Sequence, residues 1–237
     1  MNTVPLLFLP GLLCDQALWA QQIHALADIA TPQVADFTQD DSAAAMARRA
    51  LAAAPERFAL AALSMGGYVA FEILRQAPER VLRLALFDTS AAPDDDARAA
   101  RRRAAIASLA HGKFAGVTQQ LLPQLVQPRH VDGPVGQVVR DMAARVGQDA
   151  FVRQQTAILG RPDSRSLLGQ VRVPTLIAVG DSDQLTPLAE ARVMHEGIAH
   201  STLHVFEDCG HLPPLEHPEA TTAVLRKWLT EGPLAAA

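Results

Sequence analysis

The stretch that decides the fold reads FALAALSMGGYVAFEIL and runs from Phe58 to Leu74. Its first six residues are apolar, which is typical of a strand buried on both faces of a parallel sheet. A helical pattern follows, and a single serine, Ser64, stands at the junction with Gly66 and Gly67 close behind it. The stretch therefore predicts a strand, a tight turn and a helix, with one hydroxyl raised at the turn.

Two interpretations of Ser64 are open at this point. Serine commonly caps helices and Gly-Gly is common in loops, so the residue can be a simple turn serine. Alternatively, small residues around a strained turn present a nucleophile, as in the G-x-S-x-G signature. Ala62 stands where that signature has its first glycine, which keeps the position small but narrows the allowed backbone. The following helix also offers free backbone N–H groups to an anion.

Length and composition limit the classes of protein to consider. A chain of 237 residues suits one domain, or one domain with an insertion. With 49% apolar residues there is enough material for a core, and a net charge of −4 argues against a nucleic-acid-binding protein. Only Cys14 and Cys209 are available for sulfur chemistry, too few for a disulfide framework or a thiolate metal site. We therefore expect a cytoplasmic protein with free thiols.

Membrane insertion is not expected either. No uninterrupted apolar stretch approaches the length needed to cross a bilayer. The N-terminal apolar run is interrupted by Pro5 and by Pro10-Gly11 and lacks a basic region before it, so we interpret it as a strand and not as a signal peptide.

The rest of the chain repeats the strand and helix rhythm. Strands are predicted at Pro5–Leu9, Gln33–Asp36, Phe58–Leu63, Leu82–Phe87, Thr175–Val179 and Leu203–Phe206. Helices are predicted at Trp19–Ala27, Ala43–Ala54, Gly67–Gln76, Pro187–Glu196 and Pro218–Leu229. Apolar strands that alternate with helices predict an α/β fold, with a mostly parallel sheet of about six strands flanked by helices.

Residues 91–170 break this rhythm and form what we call the cap segment. They contain helical patterns and no convincing strand, and they open with APDDDARAARRRAAIASLA, residues 92–110. Aspartates at a helix start followed by arginines suit the helix dipole. We expect residues 1–90 and 171–237 to form the core, and the cap segment to lie over the strand ends as a helical insertion.

A serine nucleophile needs a base and an acid that orients it. His211 follows the last predicted strand in a glycine- and proline-containing loop, whereas His217 looks like a helix-entry residue. For the acid, Asp181 and Asp183 both follow the strand that ends near residue 179, and Asp88 follows an earlier one. Loops at the carboxyl ends of parallel strands converge on one edge, so these side chains are expected to meet there.

The order serine, aspartate, histidine is that of the α/β-hydrolase arrangement. The chain resembles the α/β-hydrolase superfamily, particularly its small capped esterases and lactonases, such as pimeloyl-ester carboxylesterases and 3-oxoadipate enol-lactonases. The likeness rests on LFLPGLLCDQALW, ALSMGGYVAFEI, VPTLIAVGDSDQLTP and CGHLPPLEHPE. It implies Ser64 as nucleophile, His211 as general base and Asp183 as acid, with the N–H groups of Leu12 and Met65 as the oxyanion hole.

The sequence departs from that family in four places. Pro10 replaces the usual histidine before Gly11, and Ala62 replaces the first glycine of the turn. The segment after the second strand lacks the usual Gly-rich loop, and the chain begins directly at the first parallel strand. We therefore expect a trimmed core without the family's early antiparallel strands.

Substrate binding is expected to involve the cap segment, because the active-site loops face it. The pocket candidates are Leu13, Tyr68, Leu122, Leu125, Phe151, Ile158, Arg161, Leu185 and Leu212. Arg161 and Arg165 are candidates to meet a substrate carboxylate, although a salt bridge with Asp163 or a helix-end contact is the simpler expectation. The cluster Arg98, Arg101, Arg102 and Arg103 either forms a solvated helix face or docks an acidic acyl carrier protein.

Three functions remain open from the sequence. The first is hydrolysis of a small carboxylic ester, lactone or thioester through an acyl-enzyme, without a metal or an organic cofactor. The second uses the same residues in a carbon–carbon bond hydrolase or lyase. The third is a binding protein that no longer catalyses a reaction, and the Ser64, Asp183 and His211 set argues against it. A small-molecule ester is the expected partner, with an acyl carrier protein as a further candidate.

Overall fold

Six strands form one parallel sheet in the computed structural model. The structure describes residues 3–109, 112, 114–117 and 120–231. The strands are β1 (Val4–Leu9), β2 (Ala30–Val34), β3 (Phe58–Leu63), β4 (Val81–Phe87), β5 (Thr175–Gly180) and β6 (Ser201–Phe206). Their order across the sheet is β2-β1-β3-β4-β5-β6, and every neighbouring pair is parallel. The predicted α/β fold with a six-stranded sheet is confirmed.

The sheet is buried on both faces because its central strands are apolar at nearly every position. All residues of β3 and β4 are buried, including Arg83 in β4. Successive side chains point to opposite faces, so Leu7 and Leu9 join one apolar cluster while Leu6 and Phe8 join the other. This explains why these strands read as continuous apolar runs and not as alternating ones.

Helices cover both faces of the sheet. The helices are α1 (Ala20–Ala25), α2 (Ala43–Ala53), α3 (Met65–Gln76), α4 (Asp96–Ser108), α5 (Pro134–Leu159), α6 (Arg165–Leu168), α7 (Leu188–Gly197), α8 (Pro213–Glu216) and α9 (Pro218–Thr230). Buried residues of α2, α3 and α7 belong to one apolar cluster, and those of α9 to the other. The core is therefore two apolar layers separated by the sheet.

Side-chain caps fix two of the helix starts that the sequence predicts. Ser42 accepts a hydrogen bond from the backbone N–H of Ala45 at 3.3 Å, and Asp95 accepts one from the N–H of Arg98 at 2.7 Å. Such caps satisfy N–H groups that have no partner inside the helix. The run of aspartates before α4 is thus a helix start, as its composition indicates.

The largest boundary error concerns the edge strand β2. The sequence predicts Gln33–Asp36, whereas the strand covers Ala30–Val34 and pairs with β1, Leu6 opposite Pro32. Pro32 is tolerated because β2 has a neighbour on one side only. An edge strand is only partly buried, so its apolar pattern is weak and the prediction shifted towards the hydrophobic residues after it.

Two helix starts were also placed differently by the sequence. The predicted helix Trp19–Ala27 is a 3₁₀ turn at Gln16–Trp19 followed by α1. The helix predicted from Gly67 begins at Met65, directly after Ser64. In the second case the strained turn is one residue long, which leaves no loop between β3 and α3.

The described residues of the cap segment form helices joined by turns and loops, and no strand occurs among them. Short 3₁₀ turns at Leu122–Gln124 and Pro128–His130 separate α4 from α5, and α5 consists of two helical stretches joined at Gly147, where φ is +77°. Gln154 ties α5 to the core, because its amide accepts from the N–H of Leu13 at 2.9 Å. The division of the chain into core and cap segment stays a prediction.

The strand order creates a crevice at one edge of the sheet. β2 and β3 lie on opposite sides of β1, so the connections after β1 and β3 diverge at their carboxyl ends. Ligands of open α/β sheets bind at such a switch point. Ser64 stands at this position, directly after β3.

One further feature concerns membranes. Across the described ranges, every helix is too short or too polar to cross a bilayer.

We predict that Gly66→Ala strongly destabilises the protein. A Cβ on Gly66 would lie 2.3 Å from the backbone oxygen of Leu9, a contact that requires α3 to move away from β1. Forcing an extra methyl group into a packed site costs about 1–3 kcal/mol or more. Urea unfolding should report a loss in this range or above it.

Gly169→Ala is the matched control, since a Cβ there meets nothing within 4 Å. Its free energy of unfolding should stay within about 0.5 kcal/mol of wild type. Equal stability of the two variants would contradict the packing argument.

Candidate active site

Ser64 occupies a strained turn between β3 and α3. Its φ and ψ are +54° and −116°, a region that residues with a side chain rarely adopt. Two hydrogen bonds hold the backbone of the turn. The N–H of Ser64 donates to the backbone oxygen of Phe87 at 3.0 Å, and the hydroxyl of Thr89 donates to the backbone oxygen of Ser64 at 2.7 Å. Ser64 stands at the N-cap of α3, yet its side chain makes no capping hydrogen bond. The hydroxyl is thus not used as a helix cap.

Other atoms of the protein approach the turn at Ser64 so closely that its neighbouring residues must be small. A Cβ on Gly67 would lie 2.3 Å from the hydroxyl oxygen of Thr89, and Gly66 is equally close to the backbone of Leu9. Ala62, in contrast, is an ordinary buried residue of β3 that pairs with Leu9 and Leu86. Its methyl group is accommodated within the sheet, so the missing first glycine does not alter the turn.

His211 and Asp183 form a buried acid–base pair. His211 Nδ1 lies 2.8 Å from Asp183 Oδ2, and both side chains are at most 4% exposed. The hydroxyl of Thr186 also donates to Oδ2 at 2.7 Å, and the N–H of Leu185 donates to Oδ1 at 2.8 Å. Burial by itself raises the pKa of Asp183, but the His211 charge and these hydrogen bonds lower it to about 2. Asp183 is therefore ionised at neutral pH, and it orients the imidazole.

The other two acid candidates have different partners. Asp181 accepts from the N–H groups of Asp208 and Cys209 at 2.9 and 3.2 Å, which makes it a turn aspartate. Asp88 Oδ1 accepts from the N–H of Gly180 at 2.9 Å, while its Oδ2 is buried without a hydrogen-bond partner in the described structure. Burial, followed by the charge of Asp183, raises the pKa of Asp88 well above its usual range. The pKa values of these two neighbouring carboxyl groups are therefore shifted in opposite directions.

Asp88, Asp183 and His211 place ligand-type atoms within 4.8 Å of one another. These atoms are largely committed to hydrogen bonds, since Nδ1 of His211 faces Asp183 and both oxygens of Asp183 accept from neighbours. The pKa values of the two carboxyl groups are also shifted in opposite directions. The arrangement suits an acid–base pair better than a metal centre.

The second histidine of this region is engaged elsewhere. His217 Nε2 lies 3.1 Å from the backbone oxygen of Asp208, to which it donates, and 3.5 Å from the guanidinium of Arg129. It also starts α9, in line with its interpretation as a helix-entry residue.

The loop after β1 packs directly against Ser64. A Cβ on Gly11 would lie 3.5 Å from the Cβ of Ser64 and 3.2 Å from the Leu63 side chain. The next residue, Leu12, shares a cavity with Ser64 and His211. The first turn of α3, beginning at Met65, presents backbone N–H groups at the same edge of the sheet.

Ser64 and His211 line a cavity of about 530 Å³ between the core and the cap segment. Most of the predicted pocket residues line it too: Leu13, Tyr68, Leu125, Phe151, Ile158, Leu185 and Leu212. Leu122 and Arg161, both within the described residues, do not. Leu122 is fully buried in an apolar cluster with Val139 and Met142, so its interpretation as a pocket residue is corrected.

Arg161 is a structural residue and not a substrate ligand. Its guanidinium donates to Asp94 at 2.9 Å and to the backbone oxygen of Ile158 at 2.9 Å, and it lies 4.1 Å above the ring of Tyr68. The side chain is 4% exposed. Arg165 bonds Asp163 on the surface. Both arginines therefore meet protein carboxylates, the simpler of the two expectations.

Several contributing residues carried no recognisable signal in the sequence. Thr186 donates its hydroxyl to Asp183, but a single threonine in a loop carries no pattern that indicates this role. Glu216 is buried and accepts from the N–H groups of Gln127 at 2.7 Å and Leu212 at 3.2 Å, which fixes the loop after His211 against the cap segment. The only available signal was an acidic residue in an otherwise apolar, proline-rich loop, PPLEHP.

Comparison with known proteins places this geometry in context. A family model described as alpha/beta hydrolase fold matches residues 4–218. A pimeloyl-[acyl-carrier protein] methyl ester esterase of Neisseria meningitidis serogroup B is 30% identical over 180 residues, which are 71% of this chain and 67% of that protein. 

Two solved structures are similar over nearly the whole chain. A thermophilic esterase from Thermogutta terrifontis, solved with malate bound, has a TM-score of 0.86 and 29% identity, and the match covers 96% of this chain and 90% of that one. The enol-lactonase from Burkholderia xenovorans LB400 has a TM-score of 0.82, and the match covers 98% of this chain and 93% of that one. At 22% identity the second likeness concerns the fold alone.

We predict that Asp88→Asn raises stability at neutral pH. The folded-state pKa of Asp88 lies above its unfolded value, so its contribution to stability falls as the pH rises from about 4. Asparagine keeps the acceptor for Gly180 and carries no charge to bury. The stability difference between the variant and wild type should therefore grow with pH above 4 and vanish below it, as measured by urea unfolding at several pH values.

Asp41→Asn is the control, because Asp41 is an exposed residue. Its stability difference from wild type should show no such growth with pH. A loss of stability in Asp88→Asn that increases with pH would contradict a neutral Asp88.

Proposed function

This chain belongs to the α/β-hydrolase fold family, and we propose that it cleaves a small carboxylic ester through an acyl-enzyme on Ser64. The observation that carries the proposal is the strained Ser64 turn in one cavity with the buried His211–Asp183 pair. This constellation is recognised by geometry and roles and not by sequence position.

In the proposed reaction, His211 takes the proton of Ser64 as the hydroxyl attacks the acyl carbon. Asp183 holds the imidazole through Nδ1 at 2.8 Å and stabilises its charged form. The proton then passes to the departing alcohol, and water releases the acyl group with the same base. Asp183 suits this role because its pKa of about 2 keeps it ionised at neutral pH.

The N–H groups of Leu12 and Met65 are the proposed donors to the developing oxyanion. Met65 begins α3, where N–H groups lack partners inside the helix, and Leu12 follows the glycine that touches Ser64. One such donor is worth about 3 kcal/mol of transition-state stabilisation. Pro10, which precedes Gly11 in this loop, has no backbone N–H of its own, but the N–H groups of Leu12 and Met65 are unaffected.

The acyl group of the substrate is proposed to lie against the apolar wall of the cavity. Leu13, Leu125, Phe151 and Ile158 contribute to that wall from both core and cap segment. Such a lining suits an aliphatic acyl chain or a small lactone ring. The esterase names of two similar proteins support an ester substrate.

An acyl carrier protein is the proposed macromolecular partner, on the strength of the relative named for a carrier-bound ester. A carrier-bound methyl ester should then be hydrolysed with a higher kcat/KM than the methyl ester of the same free acid. Increasing salt should reduce this advantage, since carrier recognition is electrostatic. Equal kcat/KM values for the two esters at low salt would contradict the proposal.

We predict that Ser64→Ala abolishes ester hydrolysis and leaves the fold intact. The buried turn is held by backbone groups and by Thr89, none of which needs the hydroxyl. A panel of 4-nitrophenyl esters with varied acyl length, run beside lactones and thioesters, measures the loss. A fluorophosphonate probe should label wild type at Ser64 and leave the variant unlabelled.

Wild-type turnover in Ser64→Ala would overturn the assignment of the nucleophile. A wild type that the probe does not label would favour a binding protein over an enzyme.

We predict that Asp183→Asn lowers kcat by up to ~10⁴-fold, the loss seen when the acid of such a triad becomes an amide. The neutral amide cannot stabilise the charged imidazole of His211. Its NH₂ group can also donate to Nδ1, which favours the tautomer with the proton on the other ring nitrogen. Asp181→Asn should retain kcat within about threefold, because Asp181 bonds only backbone groups and a serine of its own turn. A larger loss in Asp181→Asn than in Asp183→Asn would reverse the assignment of the acid.

A further inference from the structure

One wall of the cavity is cationic, although the whole chain has a net charge of −4. Among the described lining residues, Arg98, Arg101 and Arg102 are basic and Asp94 is the sole carboxylate. All three arginines belong to α4, so the wall is one helix face turned towards the substrate space. Its excess positive charge is unusual for a site that only needs to bind an aliphatic acyl chain.

The three arginines differ in how strongly the protein itself holds them. Arg102 donates to Asp94 at 2.6 Å and to Gln155 at 2.9 Å, so it is engaged. Asp94 is engaged as well, because Arg161 bonds its other oxygen and the carboxyl is 5% exposed. The single carboxylate of Asp94 therefore offsets only part of the positive charge of the two arginines that bond it.

Arg98 and Arg101 retain binding capacity. Arg98 approaches carboxylates only at 3.5 Å (Glu190) and 3.9 Å (Asp95), at the limit of an ion pair. Arg101 is exposed, and within the described ranges it has neither a hydrogen bond nor an ion pair. Both line the same cavity as Ser64, so Arg101 and the remaining donors of Arg98 are available to a group bound in that cavity.

We propose that Arg101, assisted by Arg98, binds a negatively charged oxyacid group, a carboxylate or a phosphate, on the ester substrate. This inference rests on the proposed ester hydrolysis and narrows its substrate class. The reacting ester lies at Ser64, the apolar part of the acyl chain contacts the leucines and phenylalanines of the cavity, and the charged end reaches α4. Guanidinium groups suit this task because they are always ionised and present several donors to carboxylate or phosphate.

The arginine cluster is thereby divided between two faces. Arg103 follows two residues after Arg101, so it projects from a different face of α4 and does not line the cavity as far as the described residues go. Three of the four arginines that the sequence offered for docking a carrier protein therefore line the substrate cavity. Arg103 supplies a matched control of the same type, helix and exposure.

The test compares charged and neutral esters of equal length. The charged set is the 4-nitrophenyl half-esters of succinic, adipic and suberic acid, and the neutral set is 4-nitrophenyl butanoate, hexanoate and octanoate. A third arm, 4-nitrophenyl 6-phosphonooxyhexanoate, distinguishes phosphate from carboxylate. We expect wild type to prefer the charged ester over its neutral counterpart at one or more lengths, and the preference to fall as salt rises.

In Arg101→Gln, kcat/KM for the preferred charged ester should fall about tenfold or more, mainly through KM, while neutral esters change less than twofold. Arg103→Gln should change neither set. Equal losses for charged and neutral esters, or no loss for either, would overturn the proposal. A preference confined to the phosphate arm would assign the site to a phosphate-bearing substrate.

A binding measurement separates this inference from the proposed function. Calorimetry on Ser64→Ala with monomethyl adipate and methyl hexanoate needs no turnover. Tighter binding of the charged ester, lost in Ser64→Ala/Arg101→Gln, supports the anion site even if no ester in the panel is hydrolysed. Equal affinities for the two esters would refute the anion site while leaving ester hydrolysis at Ser64 in place.

Discussion

The contact on which the rest of the site depends is the one between the first turn of α3 and the end of β1. Gly66 approaches the backbone oxygen of Leu9 so closely that a single methyl group would collide with it at 2.3 Å. This approach lets a helix start one residue after a buried strand, which forces Ser64 to a φ of +54°. The backbone strain is offset by hydrogen bonds from neighbouring strand ends. The position of the hydroxyl is thus set by packing several residues away from it.

Around that turn, two carboxyl groups of the same type have pKa values shifted in opposite directions. Asp183 receives donors from His211, Thr186 and the backbone, which outweigh the cost of burying its charge. Asp88 has one backbone donor among the described residues, so burial and the charge of Asp183 raise its pKa. Two carboxylates this close do not both ionise in a buried site, and the number of donors decides which one does. The same balance supports Asp183 as the acid of the proposed triad.

The cavity joins an apolar region to a cationic one. Leucine and phenylalanine side chains from the core and the cap segment provide the first, and one face of α4 provides the second. Asp94 links the two through Arg102 and Arg161, and the latter also packs on Tyr68. This buried ion pair lies within the cap segment, and the contact of Arg161 with the Tyr68 ring joins it to the core. It also leaves Arg98 and Arg101, the less engaged cations, facing the substrate space.

The sequence by itself determined the fold class, because buried parallel strands and helices carry different periodicities that are readable locally. β3 was predicted to the residue, and Ser64, His211 and three candidate aspartates were found in loops that each follow a strand, with Asp183 preferred through the family resemblance. Tertiary structure decided what local pattern does not encode: which strand forms the edge, which of Asp88, Asp181 and Asp183 reaches His211, and whether the Ser64 hydroxyl caps α3. It also decided the fate of the arginines, since Arg161 and Arg101 look equally available in the sequence. Only the packing of α4 against α5 places one in a buried ion pair and leaves the other at the cavity wall.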